Sequence, residues 1–368
     1  MRSKTSMILC IVAVSCLSLA FVGKHDTLSG QIETGTQKGT VFAIPLDDDG
    51  DLEVPDSMNE LTEHLKTQKP DVVFIFIHGW RNDSSSASLQ NGDLHRFTTF
   101  IDETTTLFGT HPTLKRWGQD KITGVYIGWH GHTWGALSTL SFWNRGKVAT
   151  QIGNNIGLLL NINTIIEQAR KHRPHARVVL MAHSLGARIV NGLLEQIENP
   201  MQSKSELPDL TIVMSPAAPQ KELDRIIEHS GASKRDNRPK IVWITSTGDF
   251  TTRFVYPMGT SHIAIAQDAG HLTHTVEKAE SPKNGTRLCN EDDPLLVYNL
   301  ACDQTLDDNI IRVGKDEYIK LMPQAKPHPY WVVRVPGEYL PNHMAFFNPK
   351  FQAILGGIFK YSKVGPNR

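Results

Sequence analysis

A chain of 368 residues, 39% hydrophobic and 21% charged, carries enough apolar material for a large buried core and needs neither disulfides nor a metal to hold it. Its 38 basic and 38 acidic side chains leave a formal net charge of zero. There is no basic block or basic helix, which argues against nucleic acid as a partner and limits any membrane contact to the N-terminal segment.

That segment differs from the rest. Arg2 and Lys4 precede an apolar run from Met7 to about Gly23, the layout of a secretory signal. Ser18-Leu19-Ala20 offers small residues to a signal peptidase. Retention of the run as an anchor is the other main route, and lipid attachment at Cys16 is a third, although Ala13-Val14-Ser15 is a poor lipobox. Residues 1–23 are therefore expected to be a signal peptide or N-terminal anchor, with the protein exported: periplasmic, extracellular or held on the outer side of a membrane. The polar, glycine-rich residues 24–40 read as a linker. Cys10 and Cys16 lie in the leader, whereas Cys289 and Cys302 flank a short loop and are expected to close a disulfide in an oxidising compartment, two unpaired thiols being the alternative. Asn82-Asp83-Ser84 and Asn284-Gly285-Thr286 match the N-glycosylation pattern, which matters for a eukaryotic source.

After the linker the spacing predicts a strand over 40–45 and a helix over 57–68. The run Val72 to His78 is almost wholly apolar, as expected of a central strand covered on both faces. A helix near 92–107 and a strand over 122–129 follow. Val148, Ile152, Ile156, Leu159, Ile162 and Ile166 recur every three or four positions, which predicts one long helix over about 144–170. Strands over 177–181, 210–214 and 241–245 alternate with helices after Ser184 and over 220–229. Residues 255–328 break this rhythm and read as an insertion before the last strand, 330–336. Asn348-Pro349 then makes an N-cap and first-turn pair for a closing helix. Alternation of this kind predicts an α/β class with a mostly parallel central sheet flanked by helices.

The chemistry centres on Ala182-His183-Ser184-Leu185-Gly186, between an apolar strand and an amphipathic helix. A serine hydroxyl is a weak nucleophile until a base takes its proton. A sharp strand-to-helix turn lifts the side chain above the sheet and crowds the residues two before and two after it, so small residues are required there. The pentapeptide has the form of a G-x-S-x-G nucleophile elbow with alanine in place of the first glycine. The rival reading is a capping serine in an ordinary turn.

Here the chain resembles the α/β-hydrolase superfamily, in its serine esterase and lipase branch, over roughly residues 70–360. His78-Gly79-Trp80 directly after "VVFIFI" is similar to the His-Gly that such proteins carry after the third strand. The resemblance implies an oxyanion hole made by the backbone N–H groups of Trp80 and Leu185. It also implies the chain order nucleophile, acid, histidine. Asp249, just past the strand 241–245, matches the acid, ahead of Asp268 and Asp303, which follow no strand. His343, between the last strand and the last helix, matches the base, ahead of His262, His271 and His274. His183, beside the nucleophile, is expected to point away from the base and to pack or cap.

Other features have structural explanations. His130-Gly131-His132 has the form of a metal-ligand pair, but no further ligand stands at a matching spacing, and no metal or other cofactor is expected. Trp129, Trp134 and Trp143 suit either a substrate pocket or core packing. Gly153 and Gly157, four apart, suggest close helix–sheet contact. The resulting expectation is one hydrolase domain over 41–368, with a lid- or cap-like insertion at about 255–328. It would cleave a small-molecule or lipid-like carboxylic ester through an acyl-enzyme on Ser184, Asp249 and His343. An amidase, peptidase or thioesterase would use the same residues, and a non-catalytic binding protein of this fold would keep the elbow for structural reasons.

Overall fold

The computed structural model of the chain describes residues 27–32, 39–110, 122–131, 141–197, 206–229, 238–260, 262–265, 267, 272–281, 294–301, 309–323 and 329–362. The leader, all four cysteines, His132, Trp134, Asp268, His271, Asn284 and Asp303 lie outside these residues. Among the described residues no helix is long and apolar enough to cross a membrane.

In chain order the elements are β1 (Gly30–Ile32), β2 (Thr40–Pro45), α1 (Asp56–Gln68), β3 (Val72–Ile77), α2 (Ser86–Asn91), α3 (Asp93–Thr110), β4 (Ile122–Gly128), α4 (Ser141–Gly153) and α5 (Ile156–His172). There follow β5 (Arg177–His183), α6 (Gly186–Ile197), β6 (Leu210–Met214), α7 (Gln220–His229) and β7 (Ile241–Ser246). A π-helical turn (Thr251–Val255) then runs into α8 (Tyr256–Thr260). The chain closes with β8 (His274–Ala279), α9 (Leu295–Ala301), β9 (Ile310–Arg312), β10 (Tyr318–Pro323), β11 (Tyr330–Val335) and α10 (Pro349–Tyr361).

All the strands join one sheet in the order β1-β2-β4-β3-β5-β6-β7-β11-β8-β10-β9. From β2 through to β8 neighbouring strands are parallel. The short outer strands β1, β10 and β9 run antiparallel to their neighbours. Helices cover both faces, so this is the α/β architecture expected. In β3, Val73, Ile75 and Ile77 face a core shared with α1, α5 and α6, while Val72, Phe74 and Phe76 face a second core with α3 and α10. That two-sided burial is why "VVFIFI" has no polar alternation. Each such side chain contributes about 1.5–3 kcal/mol relative to exposure.

Four features differ from the sequence reading. Gly30–Ile32, inside the stretch read as a linker, pairs with β2 as an edge strand too short to show a period. The long helix predicted over 144–170 is two helices, because Asn155 accepts the N–H groups of Gly157 (2.6 Å) and Leu158 (3.2 Å) and starts α5 afresh. Gly153 allows close contact with another helix rather than with the sheet: a Cβ there would meet the Ile189 carbonyl of α6 at 2.7 Å. The described part of 255–328, where the sequence shows no regular period, holds three strands, β8, β10 and β9, that extend the sheet beyond β11, and α9, which packs on α10. Strands of three to six residues interrupted by turns leave no periodic signal to read. The closing helix does begin as its sequence suggests, with the Asn348 side chain accepting the Phe351 N–H at 3.0 Å and Pro349 in the first turn.

Candidate active site

Parallel pairing brings the C-terminal ends of β3, β5, β7 and β11 to one rim, with Ile77 opposite Ala182 and Val335 opposite Ser246. Loops that leave this rim carry Trp80, Ser184, Asp249 and His343. In open α/β sheets such a rim is where ligands bind.

Ser184 sits between β5 and α6 with φ at 55°, the left-handed region that side chains rarely adopt. Such strain persists only where the surroundings enforce it. Here the Ser184 N–H donates to the Met214 carbonyl (3.1 Å) and its own carbonyl accepts from Ala217 (3.0 Å). Space explains the small neighbours. A Cβ on Gly186 would lie 2.6 Å from the Ile77 carbonyl oxygen and 2.8 Å from that of His78, and one on Gly79 would lie 2.6 Å from the Ser184 Cβ. Gly186→Ala is therefore expected to destabilise the fold by at least about 1–3 kcal/mol, because the clash is with main chain. Thermal melting checks this, and an unchanged melting temperature would mean that the turn is looser than described.

The side chains of Ser184, Asp249 and His343 meet. Asp249 lies just after β7 and accepts from Nδ1–H of His343 at both oxygens, 2.9 and 3.1 Å. A carboxylate can only accept, so Nδ1 carries a proton, and in the neutral ring Nε2 then presents its lone pair. The Ser184 hydroxyl donates to that Nε2 at 2.7 Å. Asp249 is fully buried, Ser184 is 2% exposed, and the His343 side chain is 13% exposed. Burial works to raise the Asp249 pKa, but the bonds from His343 and Thr252 outweigh it and bring it down to about 2. The carboxylate therefore stays ionised at neutral pH. The same group caps the π-helical turn, since Thr252 N–H donates to Oδ1 at 3.1 Å.

Beside the serine, no backbone carbonyl among the described residues takes the N–H of Leu185. The Gly79-Trp80 segment lies against Ser184 and is pinned by His78. The His78 Nε2 accepts the Trp129 backbone N–H (2.9 Å), and the Trp129 indole N–H donates to the His78 carbonyl (2.9 Å). Burial pulls the His78 pKa down to about 4, so the ring is neutral and can accept. Trp129 is thus core. Trp143 joins an edge-to-face aromatic group with Phe142 (4.6 Å), which also meets Trp80 (5.2 Å).

The rival residues lie elsewhere or outside the described chain. The ring of His274, in β8, packs 4.0 Å from Trp331 of β11, and His262 is exposed. His130 lies 3.0 Å from Glu53 and 3.6 Å from Asp48. Among the described residues no three side chains converge as metal ligands. Asn82 is buried, with its amide oxygen accepting the Asp93 N–H at 2.8 Å, so its side chain is not open to a glycan.

Sequence reasoning missed a second buried group under the same rim. His183 does not point away from the base, because its Nε2–H donates to the main-chain carbonyl of His343 at 2.9 Å. Its Nδ1 faces the Asp93 carboxylate at 3.4 Å, and Arg96 holds the other Asp93 oxygen at 3.0 Å. Burial works to raise the Asp93 pKa, but His183, His78 and Arg96 outweigh it and hold the group below the usual carboxylate range. No motif marks Asp93, since a helix-opening aspartate is commonplace.

No curated protein matches the chain. Among solved structures, two of acetyl xylan esterase are similar at 10% identity, with TM-scores of 0.21 and 0.23. They cover 40% and 48% of this chain, which spans 64% and 70% of theirs. LpqC, a poly(3-hydroxybutyrate) depolymerase from Bordetella parapertussis, is similar at 12% identity with a TM-score of 0.32, over 81% of each chain. A family model described as "Alpha/beta hydrolase of unknown function (DUF900)" matches residues 55–251, more than half of the protein. On that match, and with a mostly parallel sheet flanked by helices among the described residues, the chain belongs to this α/β-hydrolase family.

Proposed function

We propose that the protein is an exported serine hydrolase that cleaves carboxylic esters through an acyl-enzyme. The observation that carries the reading is the hydrogen-bonded line from Asp249 through His343 to the hydroxyl of Ser184. Ser184 Oγ attacks the ester carbonyl carbon while Nε2 of His343 takes its proton. Asp249 holds the Nδ1–H and stabilises the imidazolium that forms. The N–H groups of Trp80 and Leu185 face the oxyanion, an effect worth about 3–4 kcal/mol for one such donor. The tetrahedral intermediate collapses, His343 returns the proton to the departing alkoxide, and the alcohol leaves. Water then attacks the acyl-enzyme with His343 again as base, which frees the acid and restores Ser184.

An apolar acyl group suits the rim. Phe250 directly follows Asp249, Phe254 and Val255 end the π-helical turn beyond it, Met344 follows His343, and all four are exposed. Export by the leader 1–23 and closure of Cys289 with Cys302 belong to the same reading.

A fluorophosphonate probe with mass mapping tests it, alongside hydrolysis of acyl esters of graded chain length. The probe is expected to form one adduct, on Ser184, and Ser184→Ala is expected to lose both the adduct and the turnover. Folded protein that neither labels nor hydrolyses any of the esters would leave a binding protein of the same fold.

A further inference from the structure

We propose that His183 is a positioning residue, whose ring holds the main-chain carbonyl of His343 and so keeps the base within reach of the Ser184 hydroxyl. The proposal rests on the reading of Ser184, Asp249 and His343 as a catalytic set.

His343 stands on the long connection between β11 and α10, where no ladder or helix fixes its backbone. Its ring is held at both nitrogens, but ring geometry also depends on where the main chain puts the Cα. The Nε2–H of His183 reaches that main chain at 2.9 Å, across 160 positions of sequence. Because a carbonyl only accepts, the proton on Nε2 is required whatever the state of Nδ1. Phe346, three residues beyond His343, stacks on the same ring at 4.1 Å, and the His183 and His343 rings lie 4.8 Å apart. The His183 ring therefore touches the base loop at two places.

Behind it, Asp93 is fully buried, at a cost that packing alone would not repay. Among the described residues neither its Oδ2 nor the His183 Nδ1 that faces it at 3.4 Å has a hydrogen-bond partner. With the ring proton on Nε2, neutral His183 turns a lone pair toward this carboxylate, so the contact is attractive only when Nδ1 is protonated as well. Arg96 at 3.0 Å and the bond from the Asp93 N–H to Asn82 at 2.8 Å tie the pair to α3 and to the loop after β3. Gly79 leaves room for the ring: a Cβ there would lie 3.1 Å from the His183 Nδ1. Any apolar side chain of this size would fill the space. A histidine with one nitrogen on the carbonyl of the base and the other toward a buried carboxylate connects a rigid helix to the one catalytic group carried on a long loop.

His183→Gln and His183→Met test the idea, because the two side chains are close in volume and only glutamine keeps a terminal N–H. His183→Met is expected to lower kcat between about 10- and 100-fold with KM changed less than about twofold, as for loss of orientation rather than of binding. His183→Gln is expected to recover most of the loss. A methionine variant within about twofold of wild-type kcat, or a glutamine variant no better than it, overturns the proposal. If neither variant folds, nitrogen NMR of histidine-labelled wild-type protein decides: a protonated Nε2 on His183 supports the proposal, and an unprotonated one overturns it. Ser184→Ala separates the two readings. Wild-type protein without turnover or labelling ends the catalytic reading and this proposal with it. Turnover that depends on Ser184 but is indifferent to His183 ends this proposal alone.

Discussion

His343→Ala is expected to lower kcat for ester hydrolysis by about a million-fold, as in triads where removal of the base alone costs nearly as much as removal of the whole set. Without Nε2 at 2.7 Å, the Ser184 hydroxyl has no acceptor for its proton at the moment of attack. What survives is binding and whatever the oxyanion donors supply, about 10³–10⁴-fold over water. KM should change little. The substitution removes only the imidazole, so the main-chain carbonyl remains for His183 to hold and the loop keeps its anchor. Melting temperature should fall, because the buried Asp249 carboxylate keeps only Thr252 as a partner among the described residues, while turnover and fluorophosphonate labelling collapse together. A variant that keeps more than about a tenth of wild-type kcat would mean that another group serves as base.

Asp249→Asn is expected to cost about 10⁴-fold in kcat while the protein still folds. An asparagine Oδ1 can still accept the Thr252 N–H, now at 3.1 Å, so the π-helical turn keeps its cap. The amide NH₂ then faces Nδ1 of His343 and favours a lone pair there. That moves the proton to Nε2, where it blocks acceptance from Ser184. The same substitution has a signature in acid. The folded Asp249 pKa of about 2 lies below its unfolded value of about 3.9, so the group's stabilisation is complete above the unfolded value and is lost as pH falls toward the folded one. The difference in melting temperature between wild type and variant should narrow as pH is lowered from about 4 to about 2. A constant difference would show that the carboxylate charge contributes nothing to the fold, and wild-type kcat in the variant would place the acid elsewhere.

Much of this protein could be read without coordinates wherever local chemistry leaves no choice. "VVFIFI" admits no exposed face, and it is a central strand. The turn at Ser184 needs small neighbours because main-chain oxygens stand 2.6 and 2.8 Å from where a Cβ of Gly186 would be. Asn348-Pro349 starts a helix by its own side-chain bond and fixed φ. The rest depended on partners distant in the chain. Asn155 divides a run whose apolar period continues through the break, because capping competes with periodicity on nearly equal terms. The strands within 255–328 are defined by β11 and by each other, not by their own pattern.

By itself, then, the sequence determined the class of fold, the sharp turn that carries Ser184 and the order in which the candidate site residues follow along the chain. Only the tertiary structure decided that Ser184, Asp249 and His343 meet at one rim, that Asn82 is buried, and that His183 turns toward the base with Asp93 behind it. The physical reason is range. Propensity, caps and steric limits act within a few residues and are written in neighbouring letters, whereas a contact such as His183 to His343 depends on how strands far apart in sequence register across a sheet.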